Sequence, residues 1–217
     1  MKHLEGKDIP SVEKNIKLVQ SDLFKEESKN KLISKFNNAH KNSGYRYAFD
    51  SIVFMGDSQA EPLSLYGFLE PSSVIAEKGR TVISAKKDVS SVVKLNPQKI
   101  VMLYGVNDML LFKTTEDFIA KYESLILSIK KQLPKTQIYV NSVYPVQAFA
   151  SEKKPLFKRS PDFNTALIDL CDKLSVTYID STPFVVEQND YYAPDGIHFL
   201  SSYYPIWLDF IKNQLDL

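Results

Sequence analysis

Glycine is scarce in this chain, with seven residues in 217, about half of the usual share of roughly 7%. Cysteine occurs once, at Cys171, which excludes an internal disulfide and a cysteine-based zinc cluster. A single thiol does not fix the compartment, since it suits a cytosolic protein and also an extracytoplasmic one from an organism that avoids disulfides. No apolar run approaches the roughly 18 residues of a membrane span. The first 30 residues are charged and lack an apolar stretch, so no signal peptide is read in this sequence. A signal or anchor removed by processing would leave no trace. Net charge is also missing: 27 basic and 26 acidic residues are interspersed and sum to +1. That is no electrostatic footprint for nucleic acid, and no such partner is expected.

What is present suits a globular domain. Hydrophobic residues make up 44% and charged residues 24%, near the globular average. A chain of this length buries about 70% of its surface on folding, so it needs no staples. Residues 1–50 stand apart, with ten Lys/Arg and seven Asp/Glu. In them Val12, Ile16, Val19 and Leu23 recur at helical spacing, then Leu32, Ile33 and Phe36. We read one or two amphipathic helices from about 11 to 40, either packed on the main domain or forming a stalk from a removed anchor. The stalk reading slightly favours an extracytoplasmic, envelope-associated protein. The division is thus 1–50, an N-terminal helical extension, and 51–217, the main domain.

From Ile52 onward short apolar runs alternate with helical periods. Ile52–Met55, Ser73–Ala76, Lys99–Tyr104, Gln137–Val143 and Val176–Ile179 read as buried strands. Helices are predicted near 85–95, 115–133, 161–174 and 201–215, the second capped at Thr115 and stopped by Pro134. Tyr144 to Pro161 has no clear period and reads as a long loop near the site. Alternation of this kind predicts a three-layer α/β/α sandwich on a five-stranded parallel sheet.

Ligands of such sheets gather at the carboxyl ends of the strands. The scarce glycines concentrate there, beside residues able to do chemistry. Gly56-Asp57-Ser58 follows the first strand, Gly79-Arg80-Thr81 the second, and Gly105-Val106-Asn107-Asp108 the third. Asp195-Gly196-Ile197-His198 precedes the last helix. Together they offer a hydroxyl, a flexible backbone N–H, a carboxamide, a carboxylate and an imidazole, which are the parts of a hydrolytic nucleophile site.

These blocks resemble the SGNH (GDSL) esterase and acylhydrolase superfamily. Phe54-Met55-Gly56-Asp57-Ser58 matches its first block, Gly79 the second, Gly105-x-Asn107-Asp108 the third and Asp195-x-x-His198 the last, in the family's order. The resemblance covers roughly 50–217 and implies a flavodoxin-like SGNH fold. It implies Ser58 as nucleophile, His198 as base and Asp195 as its orienting carboxylate. The oxyanion hole would be the N–H groups of Ser58 and Gly79 with the Asn107 side chain. Gly56, Asp57, Gly105 and Asp108 would brace the loops. Gln59, where the family often has an apolar residue, would line a polar cleft with Glu61, Arg80 and Tyr104, which favours a small acyl group on a polar carrier. Neither cofactor nor metal is expected. Tyr191, Tyr192, Tyr203, Tyr204 and Trp207 read as core, with a sugar-stacking wall as the alternative. His3 and His40 read as surface residues and Cys171 as core.

The expected activity is therefore a serine esterase removing short acyl groups, chiefly O-acetyl, from carbohydrate. An O-acetyltransferase acting on cell-wall or exopolysaccharide sugars would use the same residues. A non-catalytic binding module on the same fold is a further alternative.

Overall fold

The computed structural model describes residues 42–186 and 189–217. The helices read between about 11 and 40, together with His3 and His40, lie outside the described residues. Residues 42–48 are helical and form α1. After it the chain alternates strand and helix, as the periodicity predicts. The strands are β1 (Ile52–Gly56), β2 (Val74–Ala76), β3 (Lys99–Leu103), β4 (Gln137–Asn141) and β5 (Thr177–Ile179). They form one sheet in the order β2-β1-β3-β4-β5, and every neighbouring pair is parallel. The result is a three-layer α/β/α sandwich.

Strand sequences follow from burial on both faces. In β1 the run IVFMG is buried at all five positions, which is how a central parallel strand reads. Alternate side chains feed two cores. Val53, Met55, Ile100, Met102 and Val140 point to the side covered by α3 (Val89–Leu95), α5 (Thr115–Gln132) and α7 (Ser160–Leu174). Ile52, Phe54, Val101, Leu103 and Ile179 point to the side covered by α1 and α9 (Tyr203–Gln214). Each such side chain contributes about 1.5–3 kcal/mol by leaving water. On α5 the buried stripe is Phe118, Tyr122, Leu125, Ile126 and Ile129, spaced at three and four as one helix face requires.

Two local readings change. The N-cap of α5 is Thr114, whose hydroxyl accepts the Asp117 N–H at 3.1 Å, and not Thr115. Replacing it with alanine is expected to cost about 1 kcal/mol. The segment from Tyr144 to Pro161 is more than a loop: it holds α6 (Ala148–Lys153) and a 3-10 turn over Pro155–Arg159. Six residues are too few for a helical period to show in the sequence. Beyond Ser58 the chain enters the short helix α2 (Pro62–Leu65). Between them lies a turn in which the N–H groups of Ala60 and Glu61 both reach the Asp57 carbonyl. The compact unit that holds the sheet spans Tyr45–Leu217. Tyr45 and Phe49 are buried in the α9-side core, and the Tyr45 hydroxyl donates to Asp209 Oδ1 at 2.7 Å on α9.

Strand order reverses direction between β1 and β3, which places a crevice at their carboxyl ends. Two of the chemistry-bearing blocks emerge there. Among the described residues no helix is long and apolar enough to cross a membrane.

Candidate active site

The first block turns sharply as it leaves β1. A Cβ on Gly56 would lie 2.5 Å from Ala60 Cβ and 2.9 Å from the Leu103 carbonyl oxygen, so only glycine fits there. The following Asp57 side chain turns inward. Its Oδ1 accepts the Gln59 N–H at 2.9 Å, and its Oδ2 accepts the Asn107 side-chain amide at 3.2 Å. Ser58, between these anchored neighbours, is left facing outward.

Ser58 Oγ lies 2.9 Å from His198 Nε2, and His198 Nδ1 lies 2.6 Å from Asp195 Oδ2. A carboxylate can only accept, so Nδ1 carries the proton. In the neutral ring, Nε2 is then the acceptor and Ser58 Oγ–H donates to it. The other carboxylate oxygen of Asp195 accepts the N–H groups of Ile197 at 2.9 Å and His198 at 3.0 Å. Burial alone would raise the Asp195 pKa. The His198 side chain and these two N–H groups overcome that and hold it at about 2.

The segment carrying Asp195 and His198 is clamped on both sides. Tyr192 and Phe199 form an antiparallel bridge, and the Ala193 N–H donates to the His198 carbonyl at 2.7 Å. The Gln59 side-chain amide reaches the Ile197 carbonyl at 3.3 Å. The Gln147 N–H, just before α6, donates to the Gly196 carbonyl at 2.8 Å. Gly196 has φ +69°, a conformation glycine adopts at least cost.

The second and third blocks meet the first through Asn107. Its amide donates to Asp57 Oδ2 and to the Arg80 carbonyl at 3.1 Å, tying three strand ends together. Gly79 precedes Arg80, and a Cβ there would meet nothing within 4 Å, so its backbone borders open space. Asp108 Oδ1 accepts the Val82 N–H at 3.0 Å, bracing the second block against the third. Burial pushes both inner carboxyls up, Asp57 to about 7 and Asp108 to about 7. For Asp57 the pull comes from Gln59, His198 and Asn107; for Asp108 it comes from Val82, while the charge of Asp57 adds to the rise.

Of the four residues read as a polar cleft lining, Glu61 is partly exposed and the other three turn inward. Gln59, Arg80 and Tyr104 are all buried, at 6%, 8% and 2% exposure. Gln59 is used in holding the His198 segment. Arg80 turns down to Asp88, with Nε at 2.9 Å from its carboxylate, and to Glu77 at 2.7 Å. Tyr104 packs edge-on against Tyr122 in the α5-side core. The aromatic cluster is core, as read: Tyr192, Tyr203, Tyr204 and Trp207 are buried, and Tyr191 packs against them partly buried. Their polar ends are satisfied internally, Tyr203 by Tyr144 at 2.7 Å and Trp207 by Ser181 at 3.1 Å. Cys171 is core, as expected.

The direct bond between Asp57 and Asn107 and the contact of α6 with Gly196 had no sequence signal. Their partners are far apart in the chain and meet only through the strand order. Among the described residues no cluster of three or more His, Cys, Asp or Glu side chains is arranged to hold a metal ion.

A parallel α/β/α sheet with serine, histidine and aspartate side chains in hydrogen-bonded series at its carboxyl edge defines the SGNH class of fold. The chain belongs to the GDSL-like lipase/acylhydrolase family, whose profile matches residues 55–204, and so to a family of ester-cleaving enzymes. No curated protein matches the sequence significantly. Among solved structures, a GDSL-like lipase from Bacteroides thetaiotaomicron is similar at 17% identity and TM-score 0.61, over 83% of this chain and 96% of that one. A carbohydrate esterase family 3 protein from Talaromyces cellulolyticus is similar at 16% identity and TM-score 0.59, over 76% and 95%. A mutant of an acetyl-xylooligosaccharide esterase from Geobacillus stearmophilus is similar at 16% identity and TM-score 0.58, over 76% and 94%. At these identities the likeness is one of fold.

Proposed function

We propose that the chain is a serine esterase that removes short acyl groups, chiefly O-acetyl, from carbohydrate, and that residues 51–217 carry the activity. The observation behind this reading is the hydrogen-bonded series from Ser58 Oγ through His198 to Asp195, at 2.9 Å and 2.6 Å.

Ser58 Oγ attacks the ester carbonyl carbon while its proton passes to His198 Nε2. Asp195, a strong acid in this setting, stabilises the imidazolium and holds its tautomer. The carbonyl oxygen becomes an oxyanion, held by the N–H groups of Ser58 and Gly79 and by the Asn107 amide. That amide already has two acceptors, so the oxyanion must compete with Asp57 or with the Arg80 carbonyl for it. The carbon–oxygen bond to the alcohol then breaks, and the proton on His198 Nε2 goes to the departing oxygen. Water repeats the sequence on the acyl-serine and releases the acid.

Acetyl as the acyl group and a sugar as the carrier are supported by the fold neighbours, two of which carry carbohydrate-ester names. A sugar hydroxyl in place of water would turn the same intermediate into an acetyl transfer. Both side chains of the His198–Asp195 pair are open to solvent, Asp195 at 48% and His198 at 37%, which leaves room for either nucleophile.

The test is hydrolysis of p-nitrophenyl acetate through octanoate by wild type and Ser58→Ala. Turnover is expected to fall with chain length and to disappear in the variant. Hydrolysis that survives in Ser58→Ala overturns the reading. Acetyl appearing on an added glycan, in step with donor consumption, assigns transfer instead.

A further inference from the structure

Sequence patterns nominated Gln59, Arg80 and Tyr104 to meet the substrate, and the fold buries all three. The same fold brings up a side chain that no motif contains. Phe149 lies on α6 and is 40% exposed. Its ring edge rests on the segment between Asp195 and His198: a Cβ built on Gly196 would lie 2.7 Å from Phe149 Cζ and 2.9 Å from its Cε1. Bare glycine backbone is therefore what lets the ring sit so close. The ring cannot drift from this position freely. The Gln147 N–H is bonded to the Gly196 carbonyl at 2.8 Å, the neighbouring Ala150 of α6 is buried, and the Lys153 ammonium lies 5.4 Å from the ring centroid.

The direction of the reaction decides which half of the ester this ring meets. The carbonyl oxygen is drawn toward Gly79 and Asn107. The departing alcohol must lie toward His198, because Nε2 gives it the proton. Phe149 packs against Gly196, two residues before His198, which on the proposed mechanism puts it on the side of the alcohol and not of the acyl group. Other exposed aromatic rings, Tyr47 and Tyr66, belong to α1 and to the end of α2.

We propose that Phe149 is a specificity-determining residue that receives the carbon-bound hydrogens of a pyranose ring on its exposed face, and so selects acetyl esters of sugars over acetyl esters of simple alcohols. This rests on Ser58 acting as the nucleophile. An apolar, rigid ring suits the task, since it offers a large contact area with little side-chain entropy to lose.

The experiment compares two substrates that share the acetyl group, ethyl acetate and a peracetylated methyl pyranoside. The ratio of their kcat/KM values is measured for wild type, Phe149→Ala, Phe149→Leu and Phe149→Trp. Preference for the pyranoside is expected to fall roughly 3- to 10-fold in the alanine and leucine variants, the size of one well-placed aromatic contact, and to return with tryptophan. An equal loss on both substrates means that the ring only props up the His198 segment, and overturns the proposal. An unchanged ratio overturns it too. Binding of the same pyranoside by Ser58→Ala protein, with and without Phe149→Ala, reads the contact where turnover is absent. Weaker binding without the ring supports the role, and equal binding removes it. Failure of the nucleophile assignment would show separately, as ethyl acetate hydrolysis that does not depend on Ser58.

Discussion

Two sets of carboxyl groups stand within one site and behave in opposite ways. Asp195 is on the rim, with its side chain 48% exposed, and its pKa is held at about 2 by His198 and two backbone N–H groups. Asp57 and Asp108 lie on the floor, at 1% and 0% exposure, and burial drives both up to about 7. All three accept backbone N–H bonds. The difference is water. On the rim, solvent and an imidazole partner favour the charge. On the floor, desolvation outweighs the same kind of hydrogen bonds. On the proposed mechanism, the carboxylate that must stay charged sits where ionisation is cheap, and the carboxyls that brace the loops sit where it is not.

The contrast breaks most visibly at Asp195. Asp195→Asn keeps the shape but removes the charge that stabilises imidazolium, and it can present an N–H to Nδ1, which favours the wrong tautomer. We expect kcat to fall by about 10³-fold in this open site, against roughly 10⁴ for a buried triad aspartate. Thermal stability should barely move, because the group is half exposed. Steady-state kinetics and a melting curve on the same preparation check both halves. A variant that melts early while keeping its rate would show that Asp195 is scaffolding after all.

The floor should respond the other way round. Arg80 is buried against Asp88, with Nε and Nη2 both at 2.9 Å from its carboxylate. Removing the guanidinium strands Asp88, whose pKa is already raised by burial and is held down chiefly by Arg80. Arg80→Met is expected to cost about 3 kcal/mol of stability, the usual penalty for leaving a buried charge unpaired. Urea unfolding measures it. A midpoint equal to wild type would mean that the pair is solvated and that the floor is softer than it looks.

This rim-and-floor division explains how much of the molecule could be read from sequence. The three central strands were legible because parallel strands buried on both faces leave unbroken apolar runs, as in Ile52–Gly56; the edge strands β2 and β5 are only partly buried but keep short apolar runs. Ser58, Asn107, Asp195 and His198 were legible because each follows or precedes an element with a scarce glycine beside it. What failed was side-chain direction. The residue types around Arg80 do not say that it points to Asp88, eight residues on, and not into the cleft. Tyr203 and Tyr204 read correctly as core, but the partners of their hydroxyls, Tyr144 and Gln59, are 59 and 145 residues away and left no local signal. α6 was missed for want of length, and with it went Phe149.

The smallest effect is the one that tests the comparison most finely, and it lies in the pH dependence of stability. Asp57 and Asp108 bind a proton more tightly in the folded chain than in the unfolded one, where an aspartate titrates near 3.8. Their contribution is therefore full below about pH 4 and is lost as pH rises toward about 7. Asp195 has the opposite sign: its folded value of about 2 adds stability as pH rises through about 2 to 4, and then nothing further changes. Between pH 4 and 7.5 only the floor should matter of the three. Asp108→Asn keeps an oxygen for the Val82 N–H and has no proton to lose. Its melting temperature should drop less across that interval than the wild-type value does. At pH 8 the variant should be at least as stable as wild type. Asp57 remains, so the slope shrinks without vanishing. Differential scanning fluorimetry across pH 4 to 8 gives both curves. Parallel curves would mean that Asp108 is ionised throughout, and that the floor carboxyls differ from the rim in position but not in charge.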